Sequence, residues 1–278
     1  MSTANVADLS QGRYLLFLDI LGFSQLVNTR GRDEVLGVIN EALAEFDRWG
    51  RLNSEFKTIY FSDTFLFYQV PKGYGAWAFL DVYAIGALVL TSLLAKGIPA
   101  RGAISFGEFD VFDRTESGHQ VYFGRALIEA HEAEKRENWI GISILPSAWQ
   151  PYESDRPGTI RAYQHNKVWL QRNDNVLLLN PFLKMRGWHL HDLIGEIDCP
   201  YEEWDAPDFP NEIAAFRFLI EKADGYARQG DFTGKVASKY HVTQAFIAEI
   251  FGSELLAWAN KISAADRVID HSVQNPLL

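Results

Sequence analysis

The chain has 278 residues, enough for one large domain or one domain with an extension. Its aromatic share is rich (19 Phe, 11 Tyr, 8 Trp), so a sizeable core can be buried. A net charge of -10 argues against non-specific binding to nucleic acid or an anionic membrane, but not against a small anion neutralised locally by metal ions or backbone N–H groups.

Cys199 is the sole cysteine, which rules out an intrachain disulfide. Met1 to Gln11 is polar and lacks a signal-peptide core. The longest apolar stretch, Ala84 to Ala95, falls short of the roughly 20 residues that span a bilayer and reads as a buried helix. A soluble, cytoplasmic protein is expected.

In chain order, residues 13–20 read as a buried strand, followed by a turn at Leu21-Gly22 and a short helix near 23–29. Residues 33–49 read as an amphipathic helix, because Val35, Val38, Ile39, Ala42, Leu43, Phe46 and Trp49 recur at spacings of three and four. Two strands around Asp63 fill 56–70, and a long helix fills 75–96, stopped by Gly97 and Pro99. A strand over 100–109, a polar turn at 113–119 and a strand over 120–123 come next. Gly124 opens a helix running to about Lys135, and Gly141 to Leu145 is a further short strand.

This order predicts an α+β sandwich: helices against a mainly antiparallel sheet with a split βαβ core. Beyond residue 150 the pattern weakens. Val176 to Asn180 suits an edge strand, and 211–228 and 243–261 read as helices packed on the main domain. No internal repeat or low-complexity linker interrupts the chain.

Two carboxylates stand out. Asp19 closes the apolar run from Tyr14, and Asp63 lies between the apolar segments Ile59–Phe61 and Phe65–Tyr68. A carboxylate in such surroundings is costly unless a partner compensates it. Divalent metal shared between the two would do so. If the second strand is regular, Lys57, Ile59, Phe61 and Asp63 share one face. Backbone N–H groups of Ile20, Leu21, Gly22, Phe23 and Ser24, with the start of the following helix, could line a triphosphate. Gly22 permits close backbone approach there. Asp19 as a helix cap and Asp63 as a hairpin residue are the structural alternatives.

Phe17-x-Asp19-Ile20-x-Gly22-Phe23-Ser24 resembles the first metal motif of class III nucleotide cyclases, and Lys57-Thr58-Ile59 with Ser62-Asp63 resembles the second. Arg101 to Gly107 resembles that family's central strand, and Phe123-Gly124 its aromatic-Gly step. The four motifs occur in the family's order over roughly residues 13–150. The resemblance implies a catalytic domain at 11–185 with a mainly helical extension at 186–278.

It also implies that Asp19 and Asp63 bridge two Mn²⁺ or Mg²⁺ ions per site, with the Ile20 carbonyl as a further ligand. The ribose 3′-OH of a nucleoside triphosphate would attack the α-phosphate and release pyrophosphate. Family members work as head-to-tail dimers with composite sites, so a homodimer is expected.

The departures from the family are informative. Ile59 and Val121 occupy the places of the two polar adenine readers, and neither side chain can hydrogen-bond a base edge. Ile128 and Glu132 stand where an Asn and an Arg stabilise the transition state; Arg125, Lys135 and Arg136 are candidate substitutes, though none sits in register. This combination resembles the pyrimidine nucleotide cyclases of bacterial Pycsar anti-phage systems, which make cyclic UMP or cyclic CMP to activate a separate effector.

Lys57 is read as either a solvated strand residue or a phosphate or base contact, and Arg101 as partner to a core carboxylate or as a substrate contact. His189 and His191 lack a third metal ligand at recognisable spacing, and Cys199 lacks a neighbouring base.

Overall fold

The computed structural model describes residues 12–50, 56–69, 77–114, 119–183 and 210–252. Its first strand, β1 (Arg13–Ile20), is apolar on both faces because helices cover both. Tyr14, Leu16, Leu18 and Ile20 face one core cluster; Leu15 and Phe17 face the other, as period-two alternation requires. Helices α1 (Phe23–Arg30) and α2 (Arg32–Gly50) follow, then β2 (Phe56–Phe61), β3 (Thr64–Gln69) and α3 (Trp77–Ala95). Next come β4 (Ala100–Gly107), β5 (Asp110–Arg114), β6 (His119–Phe123), α4 (Arg125–Arg136) and β7 (Gly141–Ile144).

The main sheet begins with the order β2-β3-β1-β4-β7, antiparallel except for the parallel β4–β7 pair. Strand β3 therefore separates the parallel pair β1 and β2, and β1 separates β3 from β4. These are two interleaved split βαβ units, the architecture the sequence predicts. Helices α2 and α3 pack against one face, and α4 crosses β1 and β4 on the other.

Helix α3 is the core helix. Its Ala78–Ala95 stretch is long and apolar enough to cross a membrane by composition, yet 83% of it is buried inside the protein. The apolar run thus extends further than Ala84–Ala95. Tyr83, also on α3, shares its hydroxyl hydrogen between the buried carbonyls of Val168 and Asn180, at 2.7 and 2.9 Å. Tyr83→Phe would leave both carbonyls without this donor, with an expected loss of about 1–3 kcal/mol in chemical denaturation.

Several elements differ from expectation. The predicted strand over 100–109 ends at Gly107, and a new strand, β5, starts at Asp110 and pairs only with β6 in a separate two-stranded sheet. Part of the predicted polar turn, Asp113 and Arg114, belongs to β5, opposite Gln120 and His119. Helices α5 (Pro146–Asp155) and α6 (Thr159–His165) and strand β8 (Trp169–Gln171) fill a region that carries little periodicity. Strand β9 (Leu177–Leu179) is not an edge strand: it lies between β7 and β8, and β8 forms the edge.

Helices α7 (Pro210–Arg228) and α8 (Ala237–Phe251) come from the C-terminal part. Helix α7 packs on α3 and α8. Helix α8 begins before the predicted 243 because buried Ala237 and Tyr240 share a face with buried Thr243. It is clipped to the α4–β7 connector, where the Ile140 N–H donates to Thr243 Oγ1 at 2.8 Å and Trp139 meets Phe246 edge-on at 5.0 Å. The predicted continuation over 253–261, together with His189, His191 and Cys199, lies outside the described residues.

Candidate active site

Sheet register places Asp19 between two neighbours at one end of the sheet: Thr64 on β3 and Arg101 on β4. Asp19 is half-buried on the α4 face of β1. It caps no helix; α1 has no side-chain cap, and the Asp19 carboxylate instead accepts from Thr64 Oγ1 at 3.3 Å. Asp63 is not a strand residue sharing the face of Lys57 and Ile59. It is the second residue of the two-residue turn joining Phe61 to Thr64, after Ser62 at φ 59°. A positive φ there suits the tight primed turns of hairpins. The Asp63 carbonyl accepts from the Ile20 N–H at 2.8 Å, which ties the two aspartate segments together.

The Asp19 carboxyl is pushed up to about 6. Burial is the largest cause, followed by the negative charges of Glu134 and Asp63; the Thr64 hydroxyl and Arg101 oppose them. Arg101 is itself engaged. Its Nε pairs with Glu134, whose side chain is only 4% exposed, and its Nη1 donates to the Glu137 carbonyl at 2.7 Å. Arg101 thus has the core-carboxylate partner that is one of its two sequence readings. Sequence reasoning missed Glu134 and Thr64, because each meets this end of the sheet only through long-range packing.

The turn after Asp19 is narrower as an anion cradle than the sequence suggests. The Ile20 and Leu21 N–H groups are occupied by the carbonyls of Asp63 and Pro99, each at 2.8 Å. Among the described residues nothing accepts from the N–H groups of Gly22, Phe23 and Ser24 at the entry to α1, where a helix leaves such donors without intrahelical partners. Gly22 is required by its φ of 71°, and a Cβ there would meet no protein atom within 4 Å.

The other predicted residues are spread out. Ile59 packs against the cluster under α4, on the same face as Asp19, and is level with Leu66 and Phe17. Lys57 is exposed and level with Tyr68 and Leu15, four residues along β1 from Asp19, or roughly 13 Å. Val121 sits on β6, 44% exposed. Arg125 is exposed at the start of α4. That helix start is level with Ser105, whose Oγ donates to the Ala126 carbonyl at 2.8 Å, and Ser105 lies opposite Leu15. Within one chain the fold therefore holds Arg125 away from Asp19. The far end of α4, with Glu134, is the end that meets the Asp19 row.

The donor set fits a divalent cation. Two partly buried carboxylates from adjoining segments repel one another, and the burden on Asp19 is what a cation would relieve. Among the described residues no group of three or more His, Cys, Asp or Glu could hold a metal ion. This pattern suits Mg²⁺ or Mn²⁺ held by one or two carboxylates, with water and substrate phosphates completing the shell. Asp19, Asp63 and the Ile20 carbonyl would hold it. Such an ion would lower the pKa of a hydroxyl or water bound to it and neutralise negative charge beside it.

No protein-family model matches the chain, and no curated protein matches it in sequence. Among solved structures it is similar to the adenylyl cyclase CyaB from P. aeruginosa, at 18% identity over 52% of this chain and 82% of that one, with a TM-score of 0.42. It is also similar to the guanylate cyclase domain of RhGC from Catenaria anguillulae, at 14% identity over 51% and 81%, TM-score 0.42. A third is the monomeric guanylyl cyclase domain of the RhoGC fusion protein from Blastocladiella emersonii, at 13% identity over 61% and 94%, TM-score 0.47.

Proposed function

We propose that the chain is a nucleotide cyclase that converts UTP or CTP to the 3′,5′-cyclic monophosphate and pyrophosphate. The observation that carries the reading is the joining of Asp19 and Asp63: two carboxylates on adjoining segments, linked through the Ile20–Asp63 hydrogen bond, beside the N–H groups of Gly22 to Ser24, which have no acceptor among the described residues. Asp19 and Asp63 hold the metal, and the first turn of α1 binds phosphate oxygens. Apolar Ile59 and half-exposed Val121 support the pyrimidine choice, since neither can read the polar edge of a purine.

The separation of Arg125 from Asp19 supports a head-to-tail homodimer, in which α4 of one protomer completes the site of its partner. The cyclic product would act as a second messenger in bacterial anti-phage defence, through a separate effector; the motif resemblance is what supports this.

The test is to incubate the protein with each of the four ribonucleoside triphosphates and Mn²⁺ and to separate the products. Cyclic UMP or cyclic CMP is expected. Product from ATP or GTP alone would overturn the substrate assignment. A second reading, a cyclase-like module that binds nucleotide without turnover, is favoured by exposed Ile128 and Glu132, where transition-state donors are expected. Nucleotide binding with no product from any of the four would select it.

A further inference from the structure

The C-terminal helix reaches the same end of the sheet as the two aspartates. Arg101, opposite Asp19, is also level with Gly141 in the parallel β4–β7 register. Gly141 therefore lies two strands from Asp19, roughly 10 Å away. The preceding residue, Ile140, is held by Thr243 of α8, and Thr243 in turn donates to the Lys239 carbonyl at 2.8 Å. Lys239 thus stands one helical turn from this anchor. Its Nζ is 3.5 Å from Asn138 Oδ1, on the connector whose Glu137 carbonyl accepts from Arg101.

The charges gathered here are unbalanced. Glu134 is taken by Arg101, and Glu137 and Asp174 by Arg172. Among the described residues neither Lys235 nor Lys239 forms an ion pair with a carboxylate. Burial, then Arg101 and Lys235, push the Lys239 ammonium below its ordinary range, and the carboxylates of Glu134 and Glu137 only partly offset them. A partly buried cation among other cations, with the nearby carboxylates already committed, is the environment that an incoming anion relieves.

We infer that Lys239, with Arg101 behind it, is a polyphosphate-binding residue that the C-terminal helix supplies to the site of Asp19 and Asp63. This rests on the nucleotide reading above and extends it. The site then has a carboxylate side for metal, from β1 and the β2–β3 turn, and a cationic side for phosphate, from α8. Lys239 would bind phosphate as a point charge, which arginine can replace and an isosteric apolar side chain cannot.

The test is calorimetric titration of inorganic tripolyphosphate into the full chain, with and without Mn²⁺, alongside Mn²⁺ binding followed by electron paramagnetic resonance. Lys239→Met should weaken tripolyphosphate binding about 10-fold, with Lys239→Arg staying within about 3-fold of wild type. Mn²⁺ binding without tripolyphosphate should not change in either variant, and the unfolding midpoint should not fall in Lys239→Met, since the charge it removes is one that burial disfavours. Wild-type tripolyphosphate affinity in Lys239→Met, or equal loss in both variants, would overturn the assignment. So would a wild-type protein that binds no tripolyphosphate in either buffer. If the wild type binds no Mn²⁺, the metal reading falls, and Lys239 is judged on the metal-free titration alone.

Discussion

On the cyclase reading, Asp19→Asn should cut turnover on the order of 100-fold or more while making the metal-free protein more stable at neutral pH. The two effects share one cause. In the folded chain Asp19 is half-buried, with Glu134 and Asp63 adding negative charge, and its carboxyl sits at about 6. An amide of the same shape carries no charge to desolvate and no charge for those neighbours to repel. It also cannot bridge a cation as a carboxylate does. Loss of a group that stabilises transition-state charge costs on the order of 100-fold or more in kcat. A variant that kept wild-type turnover would remove Asp19 from the metal site.

The sign of the stability effect follows from proton linkage. Because the folded carboxyl titrates higher than the unfolded one, the folded state holds more protons between about pH 4 and about 6. Without metal, stability therefore falls as pH rises through that window, and the full penalty is present at pH 7. The raised value alone corresponds to about 3 kcal/mol, but a half-buried, solvent-screened carboxylate should show about 1–2 kcal/mol. Asp19→Asn should remove this pH dependence, and its unfolding midpoint in chelator at pH 7 should exceed that of wild type. Excess Mn²⁺ should raise the wild-type midpoint and leave the variant unmoved. Such a gain in stability bought by loss of function is common where charge is concentrated for chemistry.

The parts of this site legible in the sequence were those with local signatures. The run from Tyr14 to Ile20 ends in a carboxylate and a glycine, and the structure gives a strand, Asp19 at its end and Gly22 in the left-handed region. The segments flanking Asp63 read as a hairpin because apolar residues lie on both sides of a polar pair. Strand β5 was hidden because its polar residues, Asp110, Asp113 and Arg114, look like a turn until β6 is laid beside them. Strand β8 has only three residues, too few for any period to show.

The pairing of Arg101 with Glu134 and the approach of Lys239 were not legible for another reason. They join segments far apart in the chain, and no local pattern marks which charges will meet. The availability of backbone N–H groups is similar. Only the crossing of Asp63 and Pro99 beside β1 shows that Ile20 and Leu21 are already occupied.

Gly102→Ala should be the most destabilising single-methyl change at this end of the sheet. Gly102 lies opposite Leu18 on β1, one residue from the Asp19–Arg101 row. A Cβ built there would fall 2.2 Å from the Phe17 carbonyl oxygen and 3.0 Å from Leu18 Cα. Both are backbone atoms of the central strand, so no side-chain rotation relieves the clash and β1 must move away from β4. The expected loss is about 3–5 kcal/mol, at the upper end of single-substitution effects. The same displacement would open the Asp19–Arg101 row. Gly37→Ala is the matching control. Gly37 lies inside α2 with nothing within 4 Å of its would-be Cβ, and there alanine should stabilise by roughly 0.5–1 kcal/mol. Denaturant titration of the two variants beside wild type decides the matter: a Gly102→Ala protein as stable as wild type would mean that β1 and β4 are not packed as closely as this fold places them.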